Sequence, residues 1–228
     1  MTPTVAAILP CRGRPAQTIA NVRRLLATAG MDDWELICVV DGDRDVMLAL
    51  GSAVEEKTLP VDQLRWRYVT PEHGRKWGYW QCLGLMTATH SAPLLCGLAN
   101  DLLPGHQWLR RAVDAYRETF GAGPGLLGFN DGIHELEHSP HFLIDRRLLD
   151  RFGGWPTWYG HNFGDRELCE RATELGLYAK APWAVLYHDH WINGGTHDPV
   201  YAEGDATAEA DRRLFEERKR RGWPLVSR

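Results

Sequence analysis

The chain has 228 residues, 44% hydrophobic and 25% charged, with a formal net charge of -4. That length suits one large domain or a domain with appendages, and that charge excludes a general electrostatic pull toward nucleic acid or anionic membrane. The five cysteines, Cys11, Cys38, Cys82, Cys96 and Cys169, are scattered and form no CxxC pair, which argues against a disulfide framework or a zinc cluster.

No basic segment followed by a long apolar stretch opens the sequence, and no run is long enough to span a bilayer. A reducing cytoplasm is therefore the expected compartment. The first half alternates strands and helices. Val5 to Leu9 is an apolar strand closed by Pro10-Cys11-Arg12-Gly13-Arg14-Pro15. From Ala16 to Ala29, Ile19, Val22, Leu25 and Leu26 recur at helical spacing, with Gly30 as the stop. Glu35 to Val40 is a second strand running into Asp41-Gly42-Asp43, and a helix follows over about Arg44 to Lys57. Leu64 to Val69 alternates as a third strand, Tyr79 to Thr89 is helical, and Ala92 to Ala99 is a buried strand that stops on Asn100-Asp101. This succession predicts a parallel, right-handed wound sheet.

The second half is less regular. His106 to Phe120 reads as an amphipathic helix, while Gly125 to Phe129 and His141 to Ile144 read as short strands. A loop rich in glycine and tryptophan covers 153–160. Asp165 to Gly176 is helical, Ala184 to Tyr187 is a late strand ending in His188-Asp189-His190, and Ala206 to Arg221 is a charged helix. Its basic residues read as a solvated face.

Carboxylates at strand ends carry the chemistry. Asp41 with Asp43, Asp101 and Asp131 each follow an apolar run, and ligands of open α/β sheets bind just past the strand carboxyl ends. Acids gathered there suit a divalent cation held by a few carboxylates and by substrate phosphates. Asp-Gly is also ordinary turn chemistry, so Asp101 is the stronger candidate. His188 and His190 share one face of a strand and are candidate metal ligands. Asp165, at a loop-to-helix boundary, reads as an N-terminal helix acid or as a general base. Arg12, Arg14, Arg75 and Lys76 follow strands; each singly reads as a solvated surface charge, and together they are candidates to face phosphates. The ten tryptophans, many beside Gly, Pro and charged residues, read either as aromatic platforms near a site or as partly buried surface packing.

In order and spacing these parts resemble a GT-A fold glycosyltransferase of the family 2 type. Ile8 to Arg14 is similar to that family's first strand and proline turn, and Val39 to Asp43 to its nucleotide-contacting acid segment. Gly84, Leu85 and Ala88 match its small-residue helix, and Leu98 to Pro104 its DxD region. Phe142 to Leu149 with Phe152 to Trp155 resembles the segment before the acceptor site, and Gly164 to Arg171 the ED-x-x-L-x-x-R helix. Asn100 and Gly164 stand where acids are common, which leaves Asp101 and Asp165 as the acids of those two motifs.

The resemblance implies an α/β fold with a Rossmann-like, mostly parallel central sheet flanked by helices. One domain is expected over 1–205, with a nucleotide-sugar-binding half (1–104) and an acceptor and catalytic half (105–205). A charged helix follows over 206–228. It implies an inverting glycosyltransferase using Mn2+ or Mg2+ and a UDP- or GDP-type sugar donor, with Asp165 as base. Pro10, Arg12, Arg14, Asp41, Asp43, Lys76 and Asn100 would bind the donor. Asp101 with His188 or His190 would bind the metal, and Trp155, Trp158 and Asp131 the acceptor. The acceptor is open among glycan, lipid, protein and modified nucleobase. The alternatives are a nucleotide-sugar-binding protein without catalysis and a nucleotidyltransferase.

Overall fold

A computed structural model describes residues 3–59, 62–69, 78–87, 91–134, 138–191 and 197–225. The first strand, β1 (Val5–Cys11), is almost wholly buried, because its apolar run is covered on both faces. Proline at the first turn of α1 (Pro15–Thr28) fits a position whose N–H has no helical acceptor. Next come β2 (Trp34–Asp41) and α2 (Arg44–Glu55), the latter capped by Asp43, whose side chain accepts from the Asp45 and Val46 N–H groups. After β3 (Leu64–Val69), α3 (Tyr79–Thr87) and β4 (Leu94–Gly97) come β5 (Leu102–Pro104) and α4 (Trp108–Phe120). The chain continues through β6 (Leu126–Asn130), β7 (Phe142–Asp145), α5 (Arg146–Arg151) and α6 (Gly164–Glu174). It then forms β8 (Tyr178–His188), α7 (Pro199–Asp205) and α8 (Ala208–Arg220).

The described strands form an eight-stranded sheet in the order β3-β2-β1-β4-β7-β6-β8-β5. As the alternating pattern predicts, β1, β2, β3 and β4 run parallel. The other half is mixed: β7 is antiparallel to both of its neighbours, β4 and β6, and β6 is parallel to β8. Successive residues of β1 point to opposite faces, so Val5, Ala7 and Leu9 pack under α1, α2 and α4, and Ala6 and Ile8 under α3, α5 and α6.

Five elements differ from the sequence expectation. Leu102–Pro104 reads as a break but pairs with β8, Leu102 opposite His188. The late strand starts at Tyr178 rather than Ala184, because its first half is only partly buried and lacks an apolar signature. The short helices α5 and α7 were not anticipated. The charged tail is a packed element rather than a solvated face: Asp211, Phe215 and Arg218 of α8 are all buried. No helix among the described residues is long and apolar enough to cross a membrane.

Candidate active site

Strand order reverses between β2-β1 and β1-β4, and a cleft of about 1570 Å3 opens at that switch point. Pockets that take one drug-sized ligand measure about 300–1,000 Å3, so the cleft is larger than one such ligand needs. Pro10, Arg12, Arg14, Asp41, Asn100, Asp101, Asp165, His188 and His190 all line it.

At the centre is Asp101, 4% exposed. Its Oδ2 accepts from Arg14 Nη1 at 2.7 Å and from the Tyr201 hydroxyl at 2.6 Å. Its Oδ1, buried without a hydrogen bond of ordinary geometry, lies 3.3 Å from His188 Nε2. Burial alone would raise this carboxyl, but contact with His188 and the charge of Arg14 overcome it and hold it well below the usual carboxylate range. The β5–β8 pairing creates this geometry: it sets Leu102 opposite His188 and lets the Asp189 N–H donate to the Asp101 carbonyl. His190 lies beyond the strand end, with its ring 4.5 Å from that of Tyr201.

Arg14 is buried rather than a solvated surface charge. Besides Asp101 it reaches Asn100 Oδ1 at 3.3 Å and forks onto Asp198 through Nε (2.6 Å) and Nη2 (3.0 Å). Asn100 is spent on structure: its amide donates to the Arg12 carbonyl and to Thr18 Oγ1. Arg12 stands 3.5 Å from Asp41 and 3.0 Å from Glu203. Asp198, Tyr201 and Glu203, all on or beside α7, thus cover the arginines. Sequence reading missed them because neither their spacing nor their surroundings mark a site.

Across the cleft, Asp165 starts α6, and its Oδ2 lies 2.8 Å from His138 Nε2. Burial would raise its carboxyl, yet His138 and the Arg166 backbone N–H bring it down to about 2. The loop entering α6 is tethered from α8: Asp211 accepts from the backbone N–H groups of Gly160, His161 and Asn162 at 2.8–2.9 Å. Phe163, which precedes α6, holds a left-handed φ of 68°, a strained setting next to the candidate base.

Gly164, which stands where the resembled motif has an acid, has a steric reason. A Cβ there would meet the Trp80 ring at 2.4 Å and Pro156 at 2.7 Å. Gly164→Ala is therefore expected to lower stability by about 1–3 kcal/mol through overpacking, seen as an earlier urea midpoint; an unchanged midpoint would refute it.

Several expected contacts do not form. Trp155 is a core residue, 3% exposed, whose indole N–H donates to Thr87 Oγ1. Trp158 donates to Glu167, 3.3 Å away. Neither lines the cleft, because this glycine-rich loop turns inward on the positive φ angles of Gly153 and Gly154. Asp131 is fully buried and paired with His134 instead of facing an acceptor. Asp43 caps α2 and accepts from the Gly13 N–H. Arg75, Lys76 and Ala88 lie outside the described residues.

For a divalent ion, the donor set is Asp101 Oδ1 with His188 Nε2. His141 stands behind them, its ring 5.1 Å from that of His188 and its Nε2 buried without a partner. Burial pushes His141 down to about 4, and its Nδ1 is 3.2 Å from the Gly97 carbonyl. Among the described residues no three His, Cys, Asp or Glu side chains stand close enough to hold an ion by themselves. One carboxylate and one imidazole still fit an ion that takes its remaining oxygens from substrate phosphates and water.

No family model matches the chain, and no curated protein matches it in sequence. Solved structures do match. A mannosyltransferase from Pyrobaculum calidifontis, in complex with GDP-Man and Mn2+, superposes with a TM-score of 0.64 at 16% identity, over 82% of this chain and 57% of that one. S. aureus TarS (residues 1–349) with UDP-GlcNAc gives 0.60 at 13% identity, over 90% and 64%. Glucosyl-3-phosphoglycerate synthase from Mycobacterium tuberculosis, with Mn2+, UDP and glucosyl-3-phosphoglycerate, gives 0.57 at 16% identity, over 89% and 75%. The chain thus spans less than two thirds of the length of the first two. It has the GT-A fold of nucleotide-sugar glycosyltransferases.

Proposed function

We propose that the chain transfers a sugar from a nucleoside diphosphate sugar to an acceptor hydroxyl, with inversion at the anomeric carbon. The observation that carries this reading is the placement of a buried Asp101–His188 pair and a second acid, Asp165, on one cleft at the sheet's switch point. Asp101 and His188 are the residues to hold Mn2+ or Mg2+, which when bound supplies Lewis-acid stabilisation of the departing diphosphate. Arg12 and Arg14 line the same wall and add positive charge for the phosphates. Asp41, at the end of β2, faces the nucleoside end of the donor. Asp165 is ionised at neutral pH and accepts the proton of the acceptor hydroxyl as that oxygen attacks. The nucleoside diphosphates bound by the structural neighbours support the donor class.

The metal assignment predicts a specific loss. Asp101→Asn keeps the side chain's shape but removes the anionic ligand. Calorimetry with UDP-glucose and with GDP-mannose in Mn2+ is expected to show affinity for the accepted donor lowered by about tenfold or more. An affinity equal to the parent protein's, with the Mn2+ enhancement intact, would overturn the assignment.

A further inference from the structure

The candidate base has a partner that the transfer chemistry alone does not require. His138, in the segment between β6 and β7, is 2.8 Å from Asp165. Its ring meets that of His134 edge-on at 4.4 Å, and His134 Nδ1 is 2.5 Å from the buried Asp131. Lys180, from β8, donates to the carbonyls of both His134 and His138 and lies 3.6 Å from Asp131 Oδ1. Two Asp–imidazole pairs therefore stand side by side. Asp131 is sealed in the fold, whereas His134, His138 and Asp165 line the cleft.

An ionised carboxylate only accepts hydrogen bonds, so His138 Nε2 carries the hydrogen between the pair. Among the described residues, the charged and titratable groups around His138 are Asp165 from α6, His134 from its own segment and Lys180 from β8. His161 and Tyr79 sense the far side of the same carboxylate.

We infer that His138 is a positioning residue that sets the strength of the Asp165 base and thereby the acid limb of the reaction, an inference that rests on the transfer proposed above. When the imidazole is protonated, it ion-pairs with Asp165 and lowers the carboxylate's affinity for the acceptor proton. When it is neutral, only a hydrogen bond remains. The acceptor O–H bond then breaks, its proton goes to Asp165, the oxygen bonds the anomeric carbon, and the diphosphate leaves with the bonding pair. Rate thus rises with pH through the ionisation of His138.

The test is His138→Gln, which keeps an N–H donor and cannot ionise. Release of UDP from UDP-glucose, or GDP from GDP-mannose, is followed over pH 5–9 at saturating Mn2+ and donor. In the parent protein kcat is expected to fall severalfold from pH 9 to pH 5, levelling off once the imidazole is protonated, and in the variant this limb disappears. An independent readout is NMR of the His138 imidazole over the same pH range, whose titration is expected to move downward in Asp165→Asn as its anionic partner is neutralised. An active variant that keeps the parental acid limb, or an imidazole that titrates identically with and without the Asp165 charge, overturns the role of His138 alone. A parent protein that releases no nucleoside diphosphate from either donor overturns the transfer reading, and this role with it.

Discussion

Glu167→Ala is expected to destabilise the protein by about 3–5 kcal/mol, the loss typical of breaking a buried ion pair from one side. Glu167 is fully buried in α6. Its two oxygens accept from Arg218 at 2.8 Å each, from Arg171 at 3.2 Å and from the Tyr159 hydroxyl at 2.8 Å. Arg171 also stacks 4.3 Å from the Phe152 ring and Arg218 4.0 Å from the Trp158 ring. Removing the carboxylate strands two guanidinium groups, 7% and 5% exposed, without their counter-charge. Urea unfolding measures the loss. A change below about 1 kcal/mol, the scale of an exposed ion pair, would show that this network does not hold α8 to α6.

Asp165→Asn is expected to leave the fold and donor affinity intact while kcat falls by about a hundredfold to ten-thousandfold, the usual contribution of a general base. The amide oxygen still accepts from His138 Nε2, so the side chain stays in place but cannot take a proton at neutral pH. Steady-state kinetics with calorimetric donor binding separate the two effects. Turnover at the parental rate would remove Asp165 from the base position.

The parallel half of the fold was legible because β1, β2 and β4 are almost wholly buried and read as apolar runs, each ended by a charged or turn-forming residue, while the more exposed β3 shows itself by alternation. Asp101 was legible for the same reason: an acid directly beyond such a run needs a partner. Which imidazole stands beside it was not, because the choice between His188 and His190 depends on the register of a three-residue strand with no pattern of its own. Arg14 reads as one more basic loop residue, and only the packing of α7 shows that it is enclosed. The tryptophans misled in the opposite direction: glycine and proline neighbours suggest an exposed loop, whereas Trp155 completes the core. His138 and His141 were hidden because a single histidine near a short strand carries no periodic signal.

The clamp of α7 and α8 on the cleft also fixes the order in which the protein can be made. Arg14 meets Asp198 across 184 positions of sequence, and Glu167 meets Arg218 across 51. A ribosome releases the whole parallel sheet, with Asp101 at its edge, well before Tyr201, Asp211 and Arg218 exist. Loop closures of that length are slow to form. The sheet that carries Asp101 can therefore form before the cleft around it is closed, since the walls contributed by α7 and α8 come from far along the chain.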